Sequence, residues 1–371
     1  MKKRKDGRYE KKIRYNGRRY SVYSSTIKGV NEKEDALRRQ LAAAEHKESA
    51  VTLDDYYEKW STSRKNTVAG ATVRQQYFLY RTMAEVTVRN GVKFGTLRLN
   101  EIERRDILEL QKRLYSIRRS GGRFGYSTMT VNNMIAIVSH MMSDAIMERL
   151  ISWNPAKGVK PLKKTGPMAR DTIHRALTVD ETKAFFAAAR GEWYEPLFEF
   201  LLFTGCRIGE ASAIRYSNIN NKSLTIKNTV SRDEHGIYYV SDTAKTAAGV
   251  RTIPMTEDMR MAIRAQRSLN KEAFGRADEG YVFRSKSGGI VRESVVNRNI
   301  TAICLRAGID RFTAHAFRDT FATRALESGM KPKTLQEILG HSDIGMTMNL
   351  YAHVMETTKV KEMRMIRISI T

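Results

Sequence analysis

The chain is poor in cysteine and histidine and has no long apolar run. Two cysteines in 371 residues, Cys206 and Cys304, cannot build a disulfide framework and point to a reducing cytosol. Seven histidines and two cysteines with no C-x-x-C or H-E-x-x-H spacing give no reason to expect a structural or catalytic zinc. No stretch approaches the roughly 18 apolar residues of a spanning helix. The Lys/Arg-rich N-terminus lacks the apolar segment of a secretory signal, so a membrane is not expected as partner. Acidic residues are also scarce, 40 against 65 Lys and Arg, for a net charge of +25. That imbalance calls for a polyanion, and with membranes disfavoured nucleic acid is the candidate. No internal repeat or low-complexity tract is present. Hydrophobic content of 41% with 28% charged residues is that of a globular protein, and the length suggests two or three domains.

Residues 1–30 carry eleven Lys and Arg against two acids, interleaved with Tyr9, Tyr15, Tyr20 and Tyr23. Arg8 to Tyr15 and Arg18 to Tyr23 read as two strands joined by Asn16-Gly17, a two-residue hairpin signal, with a helix from about Asn31 to Ala44 covering one face. Alternation leaves Arg8, Lys12, Arg14, Arg18 and Arg19 for phosphate contacts, although a charge run is more often a solvated tail. From Val51 to about Lys160 the periodicity is helical, with candidates at Thr52–Arg64, Thr72–Val88, Glu103–Arg119 and Ser127–Arg149. The last is Met-rich and apolar enough to be central, and its methionines read as packing. A basic, extended linker follows, carrying Lys163 and Lys164, and could lie along a phosphate backbone. The expected division is 1–50, 51–160, a linker at 161–176, and 177–371.

The last domain starts at Thr178-Val-Asp-Glu181, the spacing of a capping box. Helices are expected at Trp193–Phe203, after Arg207, and near Thr256–Arg267, Val291–Ala307 and Phe317–Glu327. Short strands are expected at Leu224–Val230, Ile237–Val240 and Val250–Ile253. Arg207 sits at a turn after Gly205, from which a guanidinium can project into a cleft or simply be solvated. Lys245 occupies a hairpin tip, where it could donate a proton or point into water. His315 and Arg318 share a helix face. His341 follows Gly340 at a helix end, and Tyr351 offers a phenol ten residues later. A tyrosine oxygen can act as a covalent nucleophile, but one tyrosine of sixteen, read alone, is core or surface.

The order and combination of these residues resemble the tyrosine recombinase (phage integrase) family over nearly the whole chain. Thr204-Gly-Cys-Arg-Ile-Gly-Glu210 looks like the first arginine box. The Lys245 hairpin with Gly249, Arg251, Ile253 and Pro254 looks like the lysine hairpin. His315-Ala-Phe-Arg318, Leu-Gly-His341 and Tyr351 look like the second box and the nucleophile. Integrases of conjugative transposons, which carry an arm-type DNA-binding domain, are the likeness that fits the small N-terminal module. The resemblance implies a β-sheet-plus-helix arm module, an all-α core-binding bundle and a mainly α catalytic domain with a small antiparallel sheet. It implies Arg207, Lys245, His315, Arg318, His341 and Tyr351 as catalytic set, with Tyr351 forming a 3′-phosphotyrosyl link. It implies double-stranded DNA with core and arm sites as partner, a homotetramer on DNA, and a DNA-bending accessory factor or excisionase. A bacterial, DNA-associated, cytoplasmic enzyme integrating and excising a mobile element is the expectation. A type IB topoisomerase and a DNA-binding regulator without catalysis are the alternatives. The Met- and Ile-bearing tail, Lys359 to Ile370, could dock on a neighbouring protomer or pack on its own domain.

Overall fold

A computed structural model describes residues 6–15, 18–45, 51–65, 67–117, 125–163, 175–241, 249–275, 280–341, 343–345 and 348. The chain forms two compact units, Met1–Asp171 and Thr172–Thr371. Both are mostly helical with small antiparallel sheets.

The first unit opens with strands β1 (Tyr9–Tyr15) and β2 (Arg18–Ser24), paired antiparallel, and helix α1 (Ile27–Glu45). Ile13, Val22 and Val30 make a small core where α1 covers one face of the hairpin. The helix begins four residues earlier than the sequence suggests, because Thr26 accepts the Gly29 and Val30 amides and starts the turn. Four helices follow: α2 (Leu53–Arg64), α3 (Gly70–Ala84), α4 (Arg104–Ser116) and α5 (Thr128–Met147). Thr52 and Asp55 cap α2 reciprocally, satisfying two amides at its start. Met134, Met141 and Met142 of α5 are fully buried against Tyr56, Tyr57, Tyr80 and Leu110, so the methionine stripe is packing, as expected. Buried rings keep their polar ends paired: the Tyr80 hydroxyl donates to Asp54 at 2.7 Å and the Trp60 indole to Asp144 at 2.6 Å.

Helix α3 stops at Ala84, short of the Val88 expected from periodicity. Beyond it the Phe94 amide bonds to the Val86 carbonyl and the Val88 amide to the Val92 carbonyl, an extended pairing suited to β-branched side chains. After α5, Asn154, Asn132 and Gln111 bond the Ser139, Leu162 and Lys160 carbonyls, so the chain stays tied to the bundle through Leu162.

The second unit contains α6 (Val179–Ala189), α7 (Glu195–Thr204), α8 (Ile208–Ser212), β3 (Ser223–Ile226), β4 (Thr229–Arg232), β5 (Tyr238–Ser241), β6 (Arg251–Pro254), α9 (Glu257–Phe274), α10 (Glu293–Ala307), α11 (His315–Glu327) and α12 (Pro332–Leu339). Phe185, Phe198, Phe312 and Phe317 form its aromatic centre, with Phe185 5.0 to 5.5 Å from the other three rings. The expected strand Leu224–Val230 is two strands. It breaks at Lys227-Asn228, where the Asn228 side chain bonds the Ser241 carbonyl; β3 pairs with β6 and β4 with β5. Both cysteines are buried and unpaired.

Candidate active site and DNA-binding face

Helix α7 ends where Gly205 takes a left-handed conformation, φ +62°. The chain then extends, and Arg207 becomes the N-cap of α8, the turn position that the sequence suggests. Glu210, three residues on, accepts the Arg207 backbone amide at 3.0 Å and its Nη1 at 2.9 Å. Helix α11 begins at His315, which lies on the surface, its Nε2 3.5 Å from Asp319 Oδ1. Arg318, one turn further, is 3% exposed. Its Nη1 donates to the Gly205 carbonyl at 2.8 Å and its Nη2 to the Leu339 carbonyl at 2.9 Å. Those bonds tie the Arg207 loop to the last turn of α12. A left-handed Gly340 caps that turn, and the His341 amide bonds the Gln336 carbonyl while the Gln336 side chain donates to the His341 carbonyl.

Electrostatics shows the same convergence. Burial, and then the charges of Arg318, Arg207, Arg251 and His315, push the His341 imidazole down to about 4. Burial, with Arg207 nearby, brings Arg318 down to about 10, still a cation at neutral pH. Burial alone would raise the Glu210 carboxyl, but hydrogen bonding from Arg251 and its charge outweigh that, so it stays ionised. Three guanidinium groups and two imidazoles thus lie within electrostatic reach of one another, with Glu210 and Asp319 as the carboxylates among them, a cluster of net positive charge that suits a phosphodiester anion. Burial pushes the Cys206 thiol up to about 11, which makes it an inert core group beside Arg207.

The structure therefore brings Arg207, the neighbouring pair His315 and Arg318, and His341 together from three separate stretches of the sequence. Lys245 and Tyr351 lie outside the described residues. Sequence reasoning met Glu210 only as the end of the first arginine box and Arg251 only as part of a hairpin pattern, and it passed over Gln336. The spacing of Arg207 and Glu210, three apart at a helix start, was the available signal for the first. Gln336 gave none.

In the first unit the register puts Lys12 opposite Ser21 and Arg14 opposite Arg19, on the hairpin face away from Ile13 and Val22. Lys12, Arg14 and Arg19 are exposed there, and Arg8 lies 5.8 Å above the Tyr23 ring. Lys11, on the other face, pairs with Glu34 of α1. Lys163 is exposed; Lys164 and the Arg18 side chain lie outside the described residues. Among the described residues no helix is long and apolar enough to cross a membrane.

Residues 175–358 match the model of the phage integrase family. The tyrosine recombinase XerD of Bifidobacterium longum is 30% identical over 256 residues, covering 64% of this chain and 75% of that protein. The transposase of transposon Tn916 from Enterococcus faecalis is 25% identical over 330 residues, covering 85% of this chain and 77% of that one. In fold, the chain is similar to the solved integrase of transposon Tn1549 in complex with transposon right-end DNA. That match has a TM-score of 0.68 and 24% identity, over 85% of this chain and 99% of the other.

Proposed function

The chain belongs to the phage integrase family of tyrosine recombinases, and from that premise we propose that it integrates and excises a mobile element by a covalent exchange of DNA strands. The observation that carries the reading is the convergence of Arg207, Arg318, His315 and His341 on one positively charged site. In the proposed reaction the Tyr351 oxygen attacks the scissile phosphorus and forms a 3′-phosphotyrosyl bond as the bond to the 5′-oxygen breaks. Arg207 and Arg318 hold the non-bridging oxygens, where charge builds in the pentavalent transition state. His315, at the open end of α11, positions Tyr351 or takes its proton; a free phenol, with a pKa of about 10, is almost fully protonated at neutral pH. Lys245 gives a proton to the leaving 5′-oxygen. His341, neutral in this setting, donates a hydrogen bond to the phosphate.

One phosphate ester replaces another, so the reaction needs no metal or nucleotide as an energy source. The 5′-hydroxyl of a partner strand reverses the step. Two such exchanges pass through a Holliday junction and require four active sites, hence a homotetramer on DNA. We assign residues 1–50 to arm-site DNA, 51–160 to the core site, 161–176 to a basic linker bearing Lys163 and Lys164, and 177–371 to catalysis. On the hairpin, Arg8, Lys12, Arg14, Arg18 and Arg19 would face arm DNA. Directional control through a DNA-bending factor or excisionase, and action in the bacterial cytoplasm, belong to the same proposal.

The test is incubation with a nicked attachment-site duplex. Wild type should form a covalent protein–DNA adduct and Tyr351→Phe none; an adduct that survives the substitution would sink the mechanism. Loss of either arginine clamp should slow adduct formation by about a hundredfold or more, on the order of 3 kcal/mol in the barrier. Relaxed plasmid without joined recombinant product would indicate a topoisomerase.

A further inference from the structure

Arg251 opens β6, where residues alternate between buried and exposed positions and the next inward side chain is Ile253. An apolar residue would suit that pattern, and replacing a buried ion pair with well-packed apolar groups is often neutral or stabilising. The guanidinium is nevertheless buried, its side chain 6% exposed. It forms a fork on Glu210, with Nη2 to Oε2 at 2.7 Å and Nη1 to Oε1 at 3.2 Å. Its Nε donates to the Ile338 carbonyl at 2.6 Å, beside the Leu339 carbonyl that holds Arg318.

These bonds close a ring. Arg207 is held by Glu210, Glu210 by Arg251, and Arg251 by the end of α12. Arg318 spans from α12 back to Gly205, two residues before Arg207. Two cations thus sit on successive carbonyls at the negative end of α12, a placement that the helix dipole favours. The plane of the Glu210 carboxylate is fixed by the Arg251 fork, and that carboxylate in turn aims the Arg207 guanidinium. The same arginine fixes the turn from which His341 projects.

We infer that Arg251 is a positioning residue for strand cleavage, setting the relative geometry of Arg207 and His341 through Glu210 and the end of α12. The inference rests on the recombinase reading above. Lysine would keep the charge but cannot form the fork and reach Ile338 together. A 1 Å misplacement of a reacting group can lower a rate by about a hundredfold.

Arg251→Lys and Glu210→Gln are each assayed by melting, by affinity for an attachment-site duplex and by single-turnover adduct formation. Adduct formation should fall by about a hundredfold in both, while duplex affinity stays within about threefold of wild type. Because Arg251 acts through Arg207, the Arg207→Lys/Arg251→Lys double variant should be within about threefold of Arg207→Lys alone. An Arg251→Lys rate near wild type overturns the inference. So do multiplicative losses in the double variant, and so does a parallel fall of melting temperature, affinity and rate in both single variants, which would mark a scaffold role only. A wild-type chain that forms no adduct overturns this inference together with the recombinase reading.

Discussion

At the scale of single residues, burial changes what His341 can do. An imidazole in water titrates near 6.5, whereas burial and then the surrounding cations hold this one at about 4. Between those values the unfolded chain binds more protons at this position than the folded one, so stability rises with pH across that window. The contribution is fully present above about 6.5 and is lost as pH falls toward about 4. An NMR titration of the free protein should therefore find His341 neutral at pH 6, and His341→Gln should flatten the acid side of the stability profile. A normal imidazole titration near 6.5 would contradict the half-buried, cation-flanked placement. Binding a phosphate diester among these cations adds negative charge, which should raise the His341 value in the complex.

At the scale of elements, the site is made by ends: the end of α7, the start of α8, the start of α11 and the end of α12. Helix termini leave backbone groups unpaired, and here arginines take up those carbonyls. Gly205 is a tight junction among these. It has a positive φ of 62°, and an added Cβ would lie 2.5 Å from Phe321 Cδ1 and 2.7 Å from Leu339 Cδ2. Gly205→Ala should destabilise the chain by on the order of 2 kcal/mol, read as a lower denaturant midpoint at unchanged slope. Because its carbonyl receives Arg318, the same substitution should also slow adduct formation. A midpoint equal to wild type would show that the turn relaxes freely.

Local grammar made several elements legible beforehand: the Asn16-Gly17 hairpin, the Thr178 capping box, the Met-rich central helix and the Gly340 helix stop. Other boundaries escaped because their causes are tertiary. The run from Leu224 to Val230 has strand character throughout. Only its two different partners, β6 and β5, show where it divides. Residues Val86 to Val88 keep helical spacing yet leave the helix to pair with Val92 and Phe94. Pattern records a side chain's face, not which backbone it will meet.

At the scale of the whole molecule, charge is the dominant property. A net +25 gives any duplex contact a steep salt dependence, since each phosphate neutralised releases counterions. Replacing Lys12, Arg14 and Arg19 together by alanine should reduce the slope of log affinity against log salt for arm-site DNA by about 0.9 per charge removed. Cleavage of a core-site duplex lacking arm DNA should be unchanged. An unaltered slope, measured by titration at several salt concentrations, would remove the hairpin face from the DNA-binding surface.

Sequence by itself determined the charge, the helical and hairpin grammar, and the order of Arg207, Lys245, His315, Arg318, His341 and Tyr351, because these are properties of residue type and spacing along one dimension. Tertiary structure alone decided that Arg318 bridges Gly205 and Leu339, that Glu210 is shared by two arginines, and that Arg251 closes the ring. Except for the local Arg207–Glu210 pair, those bonds join groups distant in the chain. Their strength depends on removal from water, which no local pattern records.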